Sequence, residues 1–259
     1  MKQILETALA AIYAVFAARK KPCRIVLFYH SVKKQDIGNF EKQISYIAAK
    51  YKVVKASEIL TASINGDNPV VAITFDDAFV SVFENALPVL KKHGLPASIF
   101  VPTGNLGQPP RWNIPQTSPY KNDIVMSEKQ LTEVNQNGFE LLSHTVSHRV
   151  LTELDDNTLK AELSNSKSAL EKMLGREVNG ISYPHGECNP KVCKAAKQTG
   201  YKLGFTIEPA VVNASTDAMQ IGRVVVSPRD SLFQFKLKVG GAYQVLISLR
   251  NIKRKLLKR

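Results

Sequence analysis

Short apolar runs alternate along the chain with longer stretches whose apolar positions recur every three or four residues. Arg24–Tyr29 (RIVLFY) and Val70–Phe75 (VVAITF) read as buried strands, as do residues 97–101, 139–143, 180–183 and 201–206. Between them the spacing predicts helices. Residues 39–51 place Phe40, Ile44 and Ile47 on one face, and residues 80–93 run to a stop at Gly94 and Pro96. Residues 127–137 begin at the N-cap Ser127 and end at Gly138. Residues 155–174 end at Gly175, and residues 190–199 open on Pro190. The stretch 102–123 is loop, with Pro102, Pro109, Pro110, Pro115 and Pro119 around the chain's one tryptophan, Trp112. Strands alternating with helices predict a parallel α/β sheet or barrel. No repeat or linker divides it, so residues 24–242 are expected to form one domain.

Several of these apolar runs end in residues that carry chemistry. Tyr29 leads into His30, Phe75 into Asp76-Asp77, Ser143 into His144, and Tyr183 into Pro184-His185. In a parallel barrel the C-terminal strand ends share one rim, where active sites lie. Two adjacent carboxylates repel in a dry site unless one holds a cation or a proton. His144 and His148 are four residues apart, which on a helical turn brings both imidazoles to one side. Two imidazoles and one carboxylate suit a divalent metal with a position left for water, and the second carboxylate suits a general base. Alone, an Asp-Asp pair equally caps a helix, and a His-x3-His pair equally decorates an exposed one. Their joint placement at strand ends favours the catalytic reading.

Thr74-Phe75-Asp76-Asp77 followed by Ala78 resembles the Thr-Phe-Asp-Asp-Gly signature of the polysaccharide deacetylases (NodB-homology, carbohydrate esterase family 4), and His144-Thr145-Val146-Ser147-His148 matches their His-Ser/Thr-x-x-His motif. The similarity spans roughly residues 24–228. It implies a distorted (β/α) barrel of the polysaccharide deacetylase type that removes N-acetyl groups from amino sugars of a polysaccharide or lipid-linked glycan. By that resemblance Asp77, His144 and His148 hold a divalent metal, zinc in most members and cobalt or nickel in some, and Asp76 is the base. The late Leu-x-His motif that supplies the acid in many members is missing, since no histidine follows His185. Leu27-Phe28-Tyr29-His30 resembles the early Tyr-His pair of the permuted subgroup that includes poly-N-acetylglucosamine deacetylases, which implies His30 as general acid. The family's Arg-x-Pro-Tyr-Gly is here Ser182-Tyr183-Pro184-His185-Gly186. Tyr183, Pro184 and His185 are thus expected at the substrate, with an oxyanion donor on the backbone near Tyr183. Arg223 is expected to replace the missing arginine. Ala78 replaces a glycine, tolerable unless its φ must be positive. Trp112 is expected to stack on sugar or to anchor its loop. A carbohydrate O-acetyl esterase, or a glycan-binding homologue with a weakened site, are the competing readings.

Charge then changes the picture. The 259 residues carry 35 Lys and Arg against 22 Asp and Glu, a net +13. Residues 1–24 contribute +4 and residues 250–259 contribute +6, leaving the body nearly neutral. This excludes nucleic acid as partner, since the body has no basic stripe with interleaved aromatics. Leu5, Leu9, Ile12 and Phe16 at one end, and Val245, Leu249, Ile252 and Leu256 at the other, repeat steps of 4, 3 and 4. Residues 1–23 and 243–259 are therefore expected as amphipathic helices that lie on an anionic membrane surface or pack on the barrel. The corresponding localisation is membrane-associated on the cytoplasmic face, with secretion as the alternative. No apolar run approaches the roughly 20 residues of a membrane span, and oligomeric state has no signature. Cys23, Cys188 and Cys193 form no disulfide framework, although a Cys188–Cys193 pair is open.

Overall fold

The computed structural model describes residues 23–64 and 68–241. The two terminal helices expected from the sequence lie, apart from Cys23, outside the described residues. Among the described residues, eight strands form one parallel sheet: β1 (Arg24–Tyr29), β2 (Lys52–Val54), β3 (Val70–Phe75), β4 (Ser98–Val101), β5 (Glu140–Ser143), β6 (Gly180–Ser182), β7 (Leu203–Phe205) and β8 (Val224–Val225). Its order is β7-β6-β5-β4-β3-β1-β8. β3 pairs β1 along its whole length, while its other edge pairs β2 at Val70–Ala72 and β4 at Thr74 and Phe75. The sheet curls because one segment serves both ends of this order. Ile221 bridges Phe205 of β7, and Val224-Val225 pairs Leu27-Phe28 of β1. Arg223 therefore stands at the seam that brings the first and last strands together.

The central strands are buried on both faces, as expected where helices cover a parallel sheet. Every residue of β3 is buried. α1 (Ile37–Lys50) buries Phe40, Ile44 and Ile47, the predicted face. α2 (Leu87–Lys92) follows a π-helical turn at Val82–Ala86 rather than one unbroken helix from residue 80. Pro88 lacks an N–H, and the widened turn before it accommodates that loss. α3 (Glu128–Gln136) carries the expected Ser127 cap in a capping box with Gln130. α4 (Asp156–Leu174) is capped by Asp155 and stopped by Gly175 at φ 65°. α5 (Pro190–Gln198) is capped by Asn189.

Three elements escaped the sequence reading. β2 has three residues and β8 two, too short for any period. α6 (Leu232–Val239) had a legible start, since Ser231 and Gln234 form a capping box. Buried Gln43 of α1 ties this end of the chain down: it accepts from Tyr29 Oη at 2.9 Å and donates to the Ser227 and Asp230 carbonyls.

Gly204 in β7 is tightly packed near the site. A Cβ there would overlap the Tyr183 hydroxyl and lie 2.6 Å from the Met219 carbonyl oxygen. Gly204→Ala is expected to cost on the order of 1–3 kcal/mol by overpacking. The urea midpoint should fall accordingly, and an unchanged midpoint contradicts this packing.

Candidate active site

The parallel strands deliver their C-terminal ends to one rim. β1 brings His30, β3 brings Asp76 and Asp77, β5 brings His144, and β6 brings Tyr183 to His185. The adjacent carboxylates have opposite surroundings. Asp76 is buried and forked by Arg223, Nη1 to Oδ1 at 2.7 Å and Nη2 to Oδ2 at 2.8 Å. Arg223 is itself wholly buried. It donates also to the Thr206 carbonyl (3.0 Å), Ser182 Oγ (2.8 Å) and Thr74 Oγ1 (3.4 Å), and lies over the Phe28 and Phe100 rings at 4.6 and 5.1 Å. Burial alone would raise the Asp76 pKa. The charge and hydrogen bonds of Arg223, helped by His144, outweigh it and hold this carboxyl below the ordinary carboxylate range.

Asp77 has no such partner. Burial, reinforced by the Asp76 charge, pushes its pKa well above the ordinary value. Its Oδ1 is buried without a hydrogen bond, 3.6 Å from His144 Nε2 and 3.4 Å from His148 Nε2. His144 Nδ1 donates to the Ser182 carbonyl at 2.8 Å, which turns Nε2 toward Asp77. Burial lowers the His144 pKa to about 4, and burial together with His144 and His185 lowers that of His148 to about 2. Both rings are thus neutral, the form that ligates metal. The ligand atoms of Asp77, His144 and His148 lie within 4.8 Å of one another, the one such cluster among the described residues. An orphaned buried carboxylate oxygen facing two neutral imidazoles fits a divalent cation.

The two histidines converge by a different route from the one the spacing suggested. Residues 144–150 are loop, not helix. Thr145 and His148 take left-handed backbone at φ 65° and 57°, and this reversal, not a helical turn, turns His148 back toward His144. Asp77 and Ala78 are also left-handed, at φ 69° and 49°. Ala78 therefore occupies the conformation in which its side chain is strained, by roughly 1–2 kcal/mol. The neighbouring loop holds it there, with Met126 N–H donating to the Ala78 carbonyl and Val80 N–H to that of Ile124.

A cavity of about 340 Å³ opens above these groups, lined among others by His30, Asp76, Asp77, Trp112, Tyr120 and His185. Trp112 stacks on His148 at 4.6 Å, so one of its faces is already taken by protein. His185, at φ 58°, meets His148 in a T-shaped contact at 4.8 Å. His30 lies flat on Tyr120, centroids 4.9 Å apart, and burial lowers its pKa against the opposing pull of Asp76. Tyr183 and Pro184 are buried beneath the rim rather than lining the cavity. The Tyr183 N–H is spent on the Phe205 carbonyl and its hydroxyl donates to that of Met219, so Tyr183 itself does not offer the expected oxyanion donor. The sequence reading missed Tyr120, Phe28, Ile114, Ile207 and Val225 as cavity wall.

Residues 63–204 match the family model described as polysaccharide deacetylase. The chain belongs to the polysaccharide deacetylase family. The family protein YxkH of Bacillus subtilis is 31% identical over 222 residues, covering 81% of this chain and 74% of that one. A poly-beta-1,6-N-acetyl-D-glucosamine N-deacetylase of Staphylococcus aureus is 29% identical over 254 residues, covering 85% and 83%. Two solved structures share the deacetylase fold. The Streptococcus pyogenes deacetylase PplD has TM-score 0.70 and 23% identity, covering 85% of this chain and 99% of that one. IcaB from Ammonifex degensii has TM-score 0.69 and 24% identity, covering 87% and 98%. Within this polysaccharide deacetylase fold, Arg223 stands against Asp76 where the third motif lacks its arginine.

With Arg223 present, Asp76 is ionised in the folded and unfolded chain above about pH 4, and the pair's contribution is lost only as pH falls below that range. In Arg223→Met burial raises the Asp76 pKa, so the folded chain keeps a proton that the unfolded chain sheds. In chelator, the variant is expected to lose about 3–5 kcal/mol at pH 7. Its Tm deficit against the native chain should widen from pH 4 to pH 7, and a constant deficit contradicts the pairing.

Proposed function

We propose that the chain hydrolyses N-acetyl groups on N-acetylglucosamine residues of a glycan, with Asp77, His144 and His148 holding zinc. The observation that carries this reading is the division of labour between two adjacent carboxylates, one forked by Arg223 and one facing two neutral imidazoles. The named activity of the Staphylococcus aureus relative supports the substrate class. When bound, zinc supplies Lewis acidity toward an acyl oxygen and a water.

The chain's own residues supply the rest. Arg223 keeps Asp76 ionised, so its carboxylate accepts a proton from the attacking water at neutral pH. An amine leaves only when protonated, and His30, which lines the same cavity as the carboxylates, delivers that proton. Tyr120 keeps the His30 ring in one plane by stacking. Trp112 and His185 pack against His148 and line the cavity with Tyr120, aromatic surfaces against which a sugar ring packs.

One observation favours a second reading. The lowered His30 pKa leaves less imidazolium at neutral pH, and an acetyl ester needs no protonated leaving group. Acetate release separates the two. The native chain is expected to release acetate from N-acetylglucosamine oligomers, and Asp76→Asn and His30→Ala to lower that rate about 10²–10⁴-fold. Release from O-acetylated sugars alone, with His30→Ala unimpaired, contradicts N-deacetylation.

We propose further that the basic terminal segments bring the enzyme to an anionic membrane surface; no helix among the described residues is long and apolar enough to cross one. The full chain should float with anionic liposomes, and a variant lacking residues 246–259 should float less. Equal recovery of both in the soluble fraction contradicts this.

A further inference from the structure

The placement of His148 poses a question that its own side chain does not answer. His144 is anchored through Nδ1 on the Ser182 carbonyl, whereas His148 Nδ1 is buried and makes no hydrogen bond among the described residues. The His148 ring packs against the rings of Trp112, His144 and His185, and its Nε2 faces Asp77 Oδ1 at 3.4 Å, but none of these is a hydrogen bond to Nδ1. Its position therefore depends on its backbone. That backbone is a loop with left-handed residues at Thr145 and His148, a shape that relaxes unless other groups hold it.

The holding group comes from α4. Glu162 is only 8% exposed and turns its carboxylate into the loop. Oε2 accepts from the backbone N–H groups of Val146 (3.0 Å) and Ser147 (2.9 Å), and Oε1 accepts from Ser147 Oγ. One turn further along α4, buried Ser166 shares a hydrogen bond of 2.8 Å with Ser143 Oγ, which in turn accepts from Thr145 N–H at 3.2 Å. The face of α4 that carries these two polar residues otherwise buries Leu159, Leu163 and Leu170. From the opposite side, Gly104 N–H donates to the Val146 carbonyl at 2.8 Å. The loop is thus pinned at both of its central residues, and the carboxylate pins the two N–H groups that immediately precede His148.

We infer that Glu162 is a positioning residue that fixes the 145–148 loop and thereby sets the affinity of the Asp77, His144 and His148 cluster for its metal. The inference rests on the metal-dependent reading above. It assigns Glu162 no contact with substrate. A carboxylate that accepts three hydrogen bonds is replaced poorly by a carboxamide, because the –NH2 group cannot accept. Groups that orient metal ligands from behind typically govern affinity by 10–100-fold.

Zinc titration of the metal-free full chain, by calorimetry or chelator competition, tests this without reference to activity. Glu162→Gln is expected to weaken zinc about 10–100-fold. Ser147→Ala, which removes one of the three hydrogen bonds and leaves the carboxylate in place, should weaken it less. Lys167→Ala serves as control: it removes bonds from the same helix to Glu171 and the Val178 carbonyl, neither of which belongs to the loop, and should leave zinc affinity unchanged even if Tm falls. Native affinity in both Glu162→Gln and Ser147→Ala overturns the inference while leaving the metal reading intact. Equal weakening in Lys167→Ala also overturns it, because the effect would then be general loss of stability. A native chain that binds no zinc overturns the metal reading itself, and the inference with it.

Discussion

The fork between Arg223 and Asp76 is the interaction on which the site depends. Both groups are buried, so the desolvation cost is large and is offset only where geometry and additional hydrogen bonds are good. Here they are: two charge-assisted bonds below 3 Å, three further donations from the guanidinium, and contacts with two aromatic rings. Asp76 comes from the end of β3 and Arg223 from the seam between β7 and β1. Curling of the sheet and ionisation of the proposed base are therefore one event. A chain that failed to seat Ile221 to Val225 would leave Asp76 buried without its counter-charge.

That fork also separates two residues that sequence alone makes equivalent. With Asp76 held by Arg223, Asp77 is left to the imidazoles, and its unpaired oxygen is stabilised only by a proton or a cation. The left-handed backbone at Asp77, Ala78, Thr145, His148 and His185 lies wholly in the loops that leave β3, β5 and β6. Strain of this kind persists where surrounding contacts over-determine it. Around the site those contacts are the 124–126 loop behind Ala78 and Glu162 of α4 behind the histidines.

Much of this was legible in the sequence because it is local. Continuous apolar runs gave β1 and β3 to the residue, and Ser127 and Gly175 marked helix ends through capping chemistry that needs only near neighbours. The Asp76-Asp77 and His144/His148 motifs fall together as their strand-end positions require. Long-range or irregular features were harder to read. β8 is two residues whose meaning is to close the sheet, and Tyr120 reaches His30 across ninety residues of chain. The convergence of His144 and His148 was anticipated, but a helical period was the wrong reason for it. Positive φ at non-glycine residues has no sequence signature, and the glycine-to-alanine change at residue 78 points toward a relaxed backbone where the structure has a strained one. Glu162 reads in sequence as one more charged position on a long helix; only tertiary packing turns it inward.

Diffraction at the zinc absorption edge, from crystals of the native chain loaded with zinc, tests the central claim most directly. One anomalous peak is expected between Asp77, His144 Nε2 and His148, with Asp76 still forked by Arg223. A peak ligated by Asp76, or one seated at His185 with Cys188 and Cys193 while the Asp77 cluster stays empty, would contradict it.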